Sequence, residues 1–197
     1  MTALSQDVTV TQPAAKAEKI QLAFQLYDWH AKHFDDPAQA AEHAKVLKQL
    51  QCEVATVQHN GHTDVRCRTI VWKSLALDSV EQVQQWQAWL NAAGFETLYG
   101  RKPQKGVKSN GQPHQEIVQY RLTDWKSQHA HQASQMGQYK AIYSALGCET
   151  QEVDHGNHKD LRIRCPDWLE LELPTHEAAH KWQKFLQDAG FETAHEH

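Results

Sequence analysis

Residues 52–97 and 148–193 are two versions of one text. The first reads CEVATVQHNGHTDVRCRTIVWKSLALDSVEQVQQWQAWLNAAGFET, and 96 residues later comes CETQEVDHGNHKDLRIRCPDWLELELPTHEAAHKWQKFLQDAGFET. The offset holds without insertion from Leu22/Val118 to Thr97/Thr193, and about a third of the paired positions are identical. This is the signature of a tandem duplication, which requires two similar folded units. Each unit has about 80 residues, a size that buries only a modest core alone. The units are therefore expected to pack against each other as a pseudo-dimer.

The duplication also divides the chain. Residues 1–19 are small and polar and are expected to be disordered. Residues 20–99 form the first unit and residues 116–197 the second. Between them runs GRKPQKGVKSNGQPHQ, residues 100–115, expected to be a flexible basic linker. Arg101, Lys102, Lys105 and Lys108 make it the positive cluster of a chain whose net charge is −4.

Within each unit the hydrophobic period changes in the same order. Leu22, Phe24 and Leu26 alternate with polar residues, as do Val118, Tyr120 and Leu122, so each unit opens on a strand with one buried face. Asp28-Trp29 and Asp124-Trp125 stand at its end, before a short polar segment. Pro37 then suits a helix start, and Ala40, His43, Val46, Leu47 and Leu50 share one helical face; Met136, Tyr139, Ile142, Tyr143 and Leu146 are their counterparts. The turns His59-Asn60-Gly61-His62 and His155-Gly156-Asn157-His158 tolerate positive φ and predict tight antiparallel hairpins. The pattern breaks at Ile70-Val71 and at Pro166-Asp167, which predicts a bulge, an edge kink or a turn into a further strand. Ser79 and Thr175 are expected N-caps of a second helix, whose buried stripe is Val83, Trp86, Leu90 and Ala93, or Ala179, Trp182, Leu186 and Ala189. Gly94 and Gly190 end it, and Phe-Glu-Thr opens a last strand.

The resulting order, β-α-β-β-(β)-α-β, resembles the ferredoxin-like βαββαβ sandwich, here with an extended or broken third strand. The fold class expected is therefore α+β, a tandem duplication of that sandwich. The resemblance is one of topology and covers both copies.

Composition narrows the function classes. A hydrophobic content of 40% with seven Trp indicates a folded chain, and its negative net charge speaks against general binding to nucleic acid or to a membrane surface. No apolar run is long enough to span a bilayer, and the N-terminus lacks a basic region followed by an apolar one, so a cytoplasmic location is expected. Cys52 and Cys148 match between copies whereas Cys67 and Cys165 do not, which suits reduced, buried thiols better than a disulfide framework.

Three groups of residues carry candidate chemistry. His59 and His62 flank one hairpin turn, and His155 and His158 flank the other. Two imidazoles so spaced can converge on Zn2+, Cu2+ or Ni2+, but a stable site needs a third or fourth ligand that the sequence does not name. His33 and His129 also match, and Asp64/Asp160 and Cys52/Cys148 are within conceivable reach. The alternative is a solvated polar hairpin tip. In the second group, period two puts Asp64, Arg66 and Arg68 on one strand face, and likewise Asp160, Arg162 and Arg164. If that face is open, the arginines suit a small anionic ligand or a protein partner; if buried, they need carboxylates such as Glu53 and Glu149. The third group is Asp28/Asp124 with Trp29/Trp125, where a Trp can stack on a planar ligand or plug the core.

No nucleophile elbow, phosphate-binding glycine loop, His-Glu-x-x-His or Cys-x-x-Cys is present. The sequence thus ranks a binding or interaction module first, acting through open sheet faces or the crevice between units. A metal-binding protein using the hairpin histidines comes second. A small enzyme with a pocket enclosed between the two sheets comes last.

Overall fold

The computed structural model describes residues 19–103, 116–156 and 158–196. The expectations for residues 1–18, for residues 104–115 and for Asn157 lie outside the described residues. Among the described residues the chain is an α+β protein with four helices and two antiparallel sheets in two similar halves. The first half comprises β1 (Ile20–Phe34), α1 (Pro37–Gln49), β2 (Glu53–His59), β3 (His62–Leu77), α2 (Val80–Ala92) and β4 (Glu96–Leu98). After β5 (Gly100–Arg101) the second half follows as β6 (Glu116–Ala130), α3 (Ala133–Ala145), β7 (Glu149–Asp154), β8 (Lys159–Leu173), α4 (His176–Asp188) and β9 (Glu192–Glu196). No helix among the described residues is long and apolar enough to cross a membrane.

Local chemistry sets the element ends. The Asp36 side chain accepts the Ala38 amide ahead of Pro37, and the Ser79 and Thr175 hydroxyls accept the amides of Gln82 and Ala178. Asn60 and Gly61 both have positive φ, 49° and 84°, the geometry of a two-residue hairpin turn.

In the first sheet the order is β2-β3-β1-β4, and β7, β8, β6 and β9 repeat it in the second. The broken pattern at Ile70-Val71 is a bulge within one continuous 16-residue strand. β1 passes from Phe24 to Leu26 while β3 passes from Lys73 to Thr69. A second bulge follows at once on the partner, where β1 runs from Leu26 to His30 against only Thr69 to Cys67. The second half has the same pair of bulges, with Pro166-Asp167 in one and Asp124-Trp125 in the other. The first strand therefore does not end at Asp28-Trp29, as the sequence suggested, but buckles there and runs on to Phe34.

One sheet face in each half meets its own helices. Leu22, Phe24, Val65 and Cys67 pack on Ala40, Leu47, Val83 and Leu90, while Val118, Tyr120, Leu161 and Ile163 pack on Ile142, Tyr143, Ala179 and Leu186. The halves then stack head to tail. Ala23 and Leu98, on the other face of the first sheet, belong to the second half's core, where Trp72 also packs. Helix α3 contacts β1 and β3 as well as its own strands. Such a contact uses different surfaces on the two halves and is heterologous rather than isologous. Trp182 is buried at this junction, edge-on to Trp72 at 5.6 Å with its indole N–H donating to Glu96 at 2.9 Å; its counterpart Trp86 is only partly buried.

The stretch expected to be a linker begins as structure. Gly100 and Arg101 pair with Leu171 and Glu170 of β8, and Arg101 reaches Glu172 at 2.9 Å. Gly100 lies so close to the Tyr120 hydroxyl and the Leu146 carbonyl that any Cβ there would overlap them.

Candidate functional site

The junction covers only the far end of the first sheet's outer face, where Trp72 and Ala23 lie. The hairpin end stays open, and its residues follow from register. Opposite Asp64 stand His33 on β1 and Val57 on β2; opposite Arg66 stand Ala31 and Ala55; His59 faces His62 across the turn. These side chains share one face because side-chain direction alternates along a strand.

At the tip this register gathers the hairpin histidines with the ligands that the sequence left unnamed. His33 Nδ1 lies 2.7 Å from Asp64 Oδ1, and His62 Nδ1 lies 2.8 Å from Asp35 Oδ1. His59 Nε2 approaches Asp64 at 3.9 Å, and the His33 ring lies 4.8 Å from that of His62 and 5.9 Å from that of His59. Two triads capable of holding a metal ion result, His33–Asp35–His62 and His33–His59–Asp64, with His33 common to both.

The second half repeats the arrangement. His129 Nδ1 lies 2.7 Å from Asp160 Oδ1, His155 Nε2 is 3.4 Å from the other oxygen, and His158 Nε2 is 3.9 Å from the first. The His158 ring lies 4.5 Å from His129 and 4.8 Å from His155. His129, His158 and Asp160 form its triad, and the bond from His129 holds the Asp160 carboxyl below its usual range. Where the first half has Asp35, the second has His131, 4.6 Å from His129.

No known protein family matches this chain, and no curated protein matches it in sequence.

Further along the same face the arginines flank a tryptophan. Arg66 and Arg68 stand 5.6 and 4.8 Å from the centre of the Trp29 ring, and Arg162 and Arg164 stand 5.3 and 5.0 Å from that of Trp125. The bulge turns each Trp outward between them, and Trp29 remains 39% exposed. Arg68 and Arg164 are each held by a carboxylate, Glu53 and Glu149, at 2.8 Å. Arg66 and Arg162 make no ion pair to a carboxylate among the described residues. Asp28 and Asp124 are exposed on the bulge and are not drawn into either group.

Cys52 and Cys148 do not join the histidines. Both are buried in the helix-side cores, and burial pushes the thiols of Cys52 and Cys67 up to about 11. Asp35 and His131 escaped the sequence reading because the copies differ there. The signal was the two-residue step from His33 and His129, which puts them on the same face.

Proposed function

We propose that this is a binding protein that carries a divalent transition-metal ion, Zn2+, Cu2+ or Ni2+, at the hairpin end of each half. The observation that carries the reading is the repeated bond from His33 to Asp64 and from His129 to Asp160, each with two hairpin imidazoles beside it. Two hairpin histidines alone make an unstable site. The facing strand adds a third imidazole and the hairpin's own second strand adds a carboxylate, the donor set that suits these ions. In calorimetric titration and elemental analysis, the full chain with His33→Ala and His129→Ala should take up two ions fewer than wild type, with unchanged circular dichroism. Unaltered uptake would refute the reading.

A second reading concerns anions. Arg66 is exposed and Arg162 partly so, both sit on a Trp and neither pairs with a carboxylate among the described residues, which supports a small phosphate or dicarboxylate, or a protein's acidic side chain, at that place. Arg66→Ala with Arg162→Ala should leave the melting temperature nearly unchanged while removing any stabilisation by phosphate.

We also read each half as ferredoxin-like. The all-antiparallel order β2-β3-β1-β4, with both helices on one face, supports this. Four free, buried cysteines support the expectation of a reducing cytoplasm.

A further inference from the structure

A third histidine group lies away from the hairpins and occurs in the second half alone. Glu116 opens β6, His176 and His180 lie one turn apart at the start of α4, and His195 lies on β9. His195 Nε2 is 2.8 Å from Glu116 Oε2, and His176 Nδ1 is 3.5 Å from Glu116 Oε1. Nε2 of His176 is 2.8 Å from Nε2 of His180. The rings of His176 and His195 lie 5.4 Å apart, and those of His180 and His195 lie 5.7 Å apart. The His195 side chain is only 4% exposed.

We propose that Glu116, His176 and His195 form a further divalent metal site, suited to Zn2+, with His180 as the residue that positions His176. This reading does not depend on the hairpin sites. One ligand atom from each of the three lies within 4.8 Å of the others. A tetrahedral Zn2+ with bonds of about 2.0–2.1 Å keeps its ligand atoms about 3.4 Å apart. The 3.5 Å between His176 and Glu116 already meets that distance. His195 Nε2 reaches the other oxygen, Oε2, at 2.8 Å, a hydrogen bond that gives way when one carboxylate oxygen and both imidazoles take up the ion. His176 presents Nδ1 to the carboxylate while its far nitrogen is held by His180, the arrangement that orients a ligating imidazole.

The duplication supplies a control within the molecule. At the offset of 96 the first half has Ile20, Val80, Gln84 and Tyr99 in place of Glu116, His176, His180 and His195. Ile20 and Tyr99 there pack against the apolar core. The same corner sets Ile20 and Tyr99 against an apolar core in one half and gathers a carboxylate with three imidazoles in the other. An ion pair needs one imidazole. Two beside one carboxylate, one of them buried and the other held by a third, form a ligand set that joins the first and last strands to the helix. A bound ion adds its binding free energy to folding.

The test uses the full chain bearing His33→Ala and His129→Ala, so that the hairpin sites do not contribute. Zinc content after dialysis and melting temperature with Zn2+ or with chelator are the readouts. The expected result is one retained equivalent and a higher melting temperature with Zn2+. Adding His176→Ala, an exposed position that folding tolerates, should abolish both. His180→Ala should weaken Zn2+ binding about 10–100-fold, and His180→Gln, whose amide oxygen keeps an acceptor for the His176 Nε2–H, should restore it. Placing all four first-half residues at the corner should give a stable chain whose melting no longer responds to Zn2+. No zinc in the starting variant, or zinc unaffected by His176→Ala, would overturn the proposal. Uptake by wild type beyond that of the starting variant reports the hairpin sites separately.

Discussion

The two halves share a backbone plan and differ in what each does with the same positions. Arg121 in the second half pairs with Glu192 at 2.7 Å and lies 4.8 Å from the Trp168 ring. The first half has Gln25 and Glu96 at those places. Gln25 turns to the Ile70 carbonyl, and Glu96 is released to accept the Trp182 indole and to meet Lys181 of the other half. The first half gives up an internal ion pair and gains the bond that fastens it to the second. The second half keeps a core of its own and receives Ala23 and Leu98 into it. Paired positions thus diverge where the halves meet, while the hairpin faces keep His33/His129, Asp64/Asp160 and the arginines.

The largest test of this asymmetry is Trp182 against Trp86. Trp182→Ala removes a buried side chain and one of the two donors to Glu96, so it should cost about 3–5 kcal/mol. Trp86→Ala, at the half-covered counterpart, should cost about 1–2 kcal/mol. Equal losses in urea denaturation would break the comparison.

The hairpin sites differ by one ligand type. The first offers His33, His59 and His62 with Asp35 and Asp64, and the second offers His129, His131, His155 and His158 with Asp160. More imidazole favours Cu2+ and Ni2+. Asp35→His should raise Ni2+ affinity of the first site roughly tenfold, about 1.4 kcal/mol, as read by calorimetry in the His129→Ala background. Weaker binding would contradict the ligand assignment.

Arg121→Gln makes the second half resemble the first. The ion pair is exposed, so the cost should be about 0.5–1 kcal/mol, and a loss of several kcal/mol would show that Glu192 is doing more than the surface geometry implies.

The smallest effect concerns His43, wedged between Phe34 and Trp89 where its counterpart is Tyr139. Burial, aided by Lys32, lowers its pKa. In the unfolded chain it titrates near about 6.5, so its contribution is full above that value and declines as pH falls towards the lower folded pKa. His43→Tyr should remove this part of the acid sensitivity of the denaturation midpoint. An unchanged pH profile would show that the imidazole is as solvated folded as unfolded.

Much of this fold was legible because local signals agreed with the global plan. Ser79, Thr175 and Asn60-Gly61 act within a turn of themselves, and the buried stripes of α2 and α4 have a clean helical period. The continuation of β1 and β6 beyond Asp28-Trp29 and Asp124-Trp125 was not legible. A bulge interrupts the alternation, and the residues after it face water on one side, so they look like a polar connection. The docking was hidden for a different reason. Ala23 carries almost no hydrophobic signal, and Trp86 and Trp182 are identical in the text although only one meets a Trp and a Glu from the other half. At the site, the hairpin histidines stood out by repetition. Their junction with His33 and Asp64 depends on a register set by two opposed bulges, which no single-strand period encodes. The group at Glu116 gave no signal by repetition because it exists once.

On the reading proposed above, each half carries its own metal site, built by one register. The most direct measurement is the zinc stoichiometry of the single variants His33→Ala and His129→Ala against wild type, on full-length protein of unchanged circular dichroism. The account predicts the loss of one equivalent in each and of two in the double variant. Full retention in either single variant, or loss of both hairpin equivalents from one substitution, would contradict it.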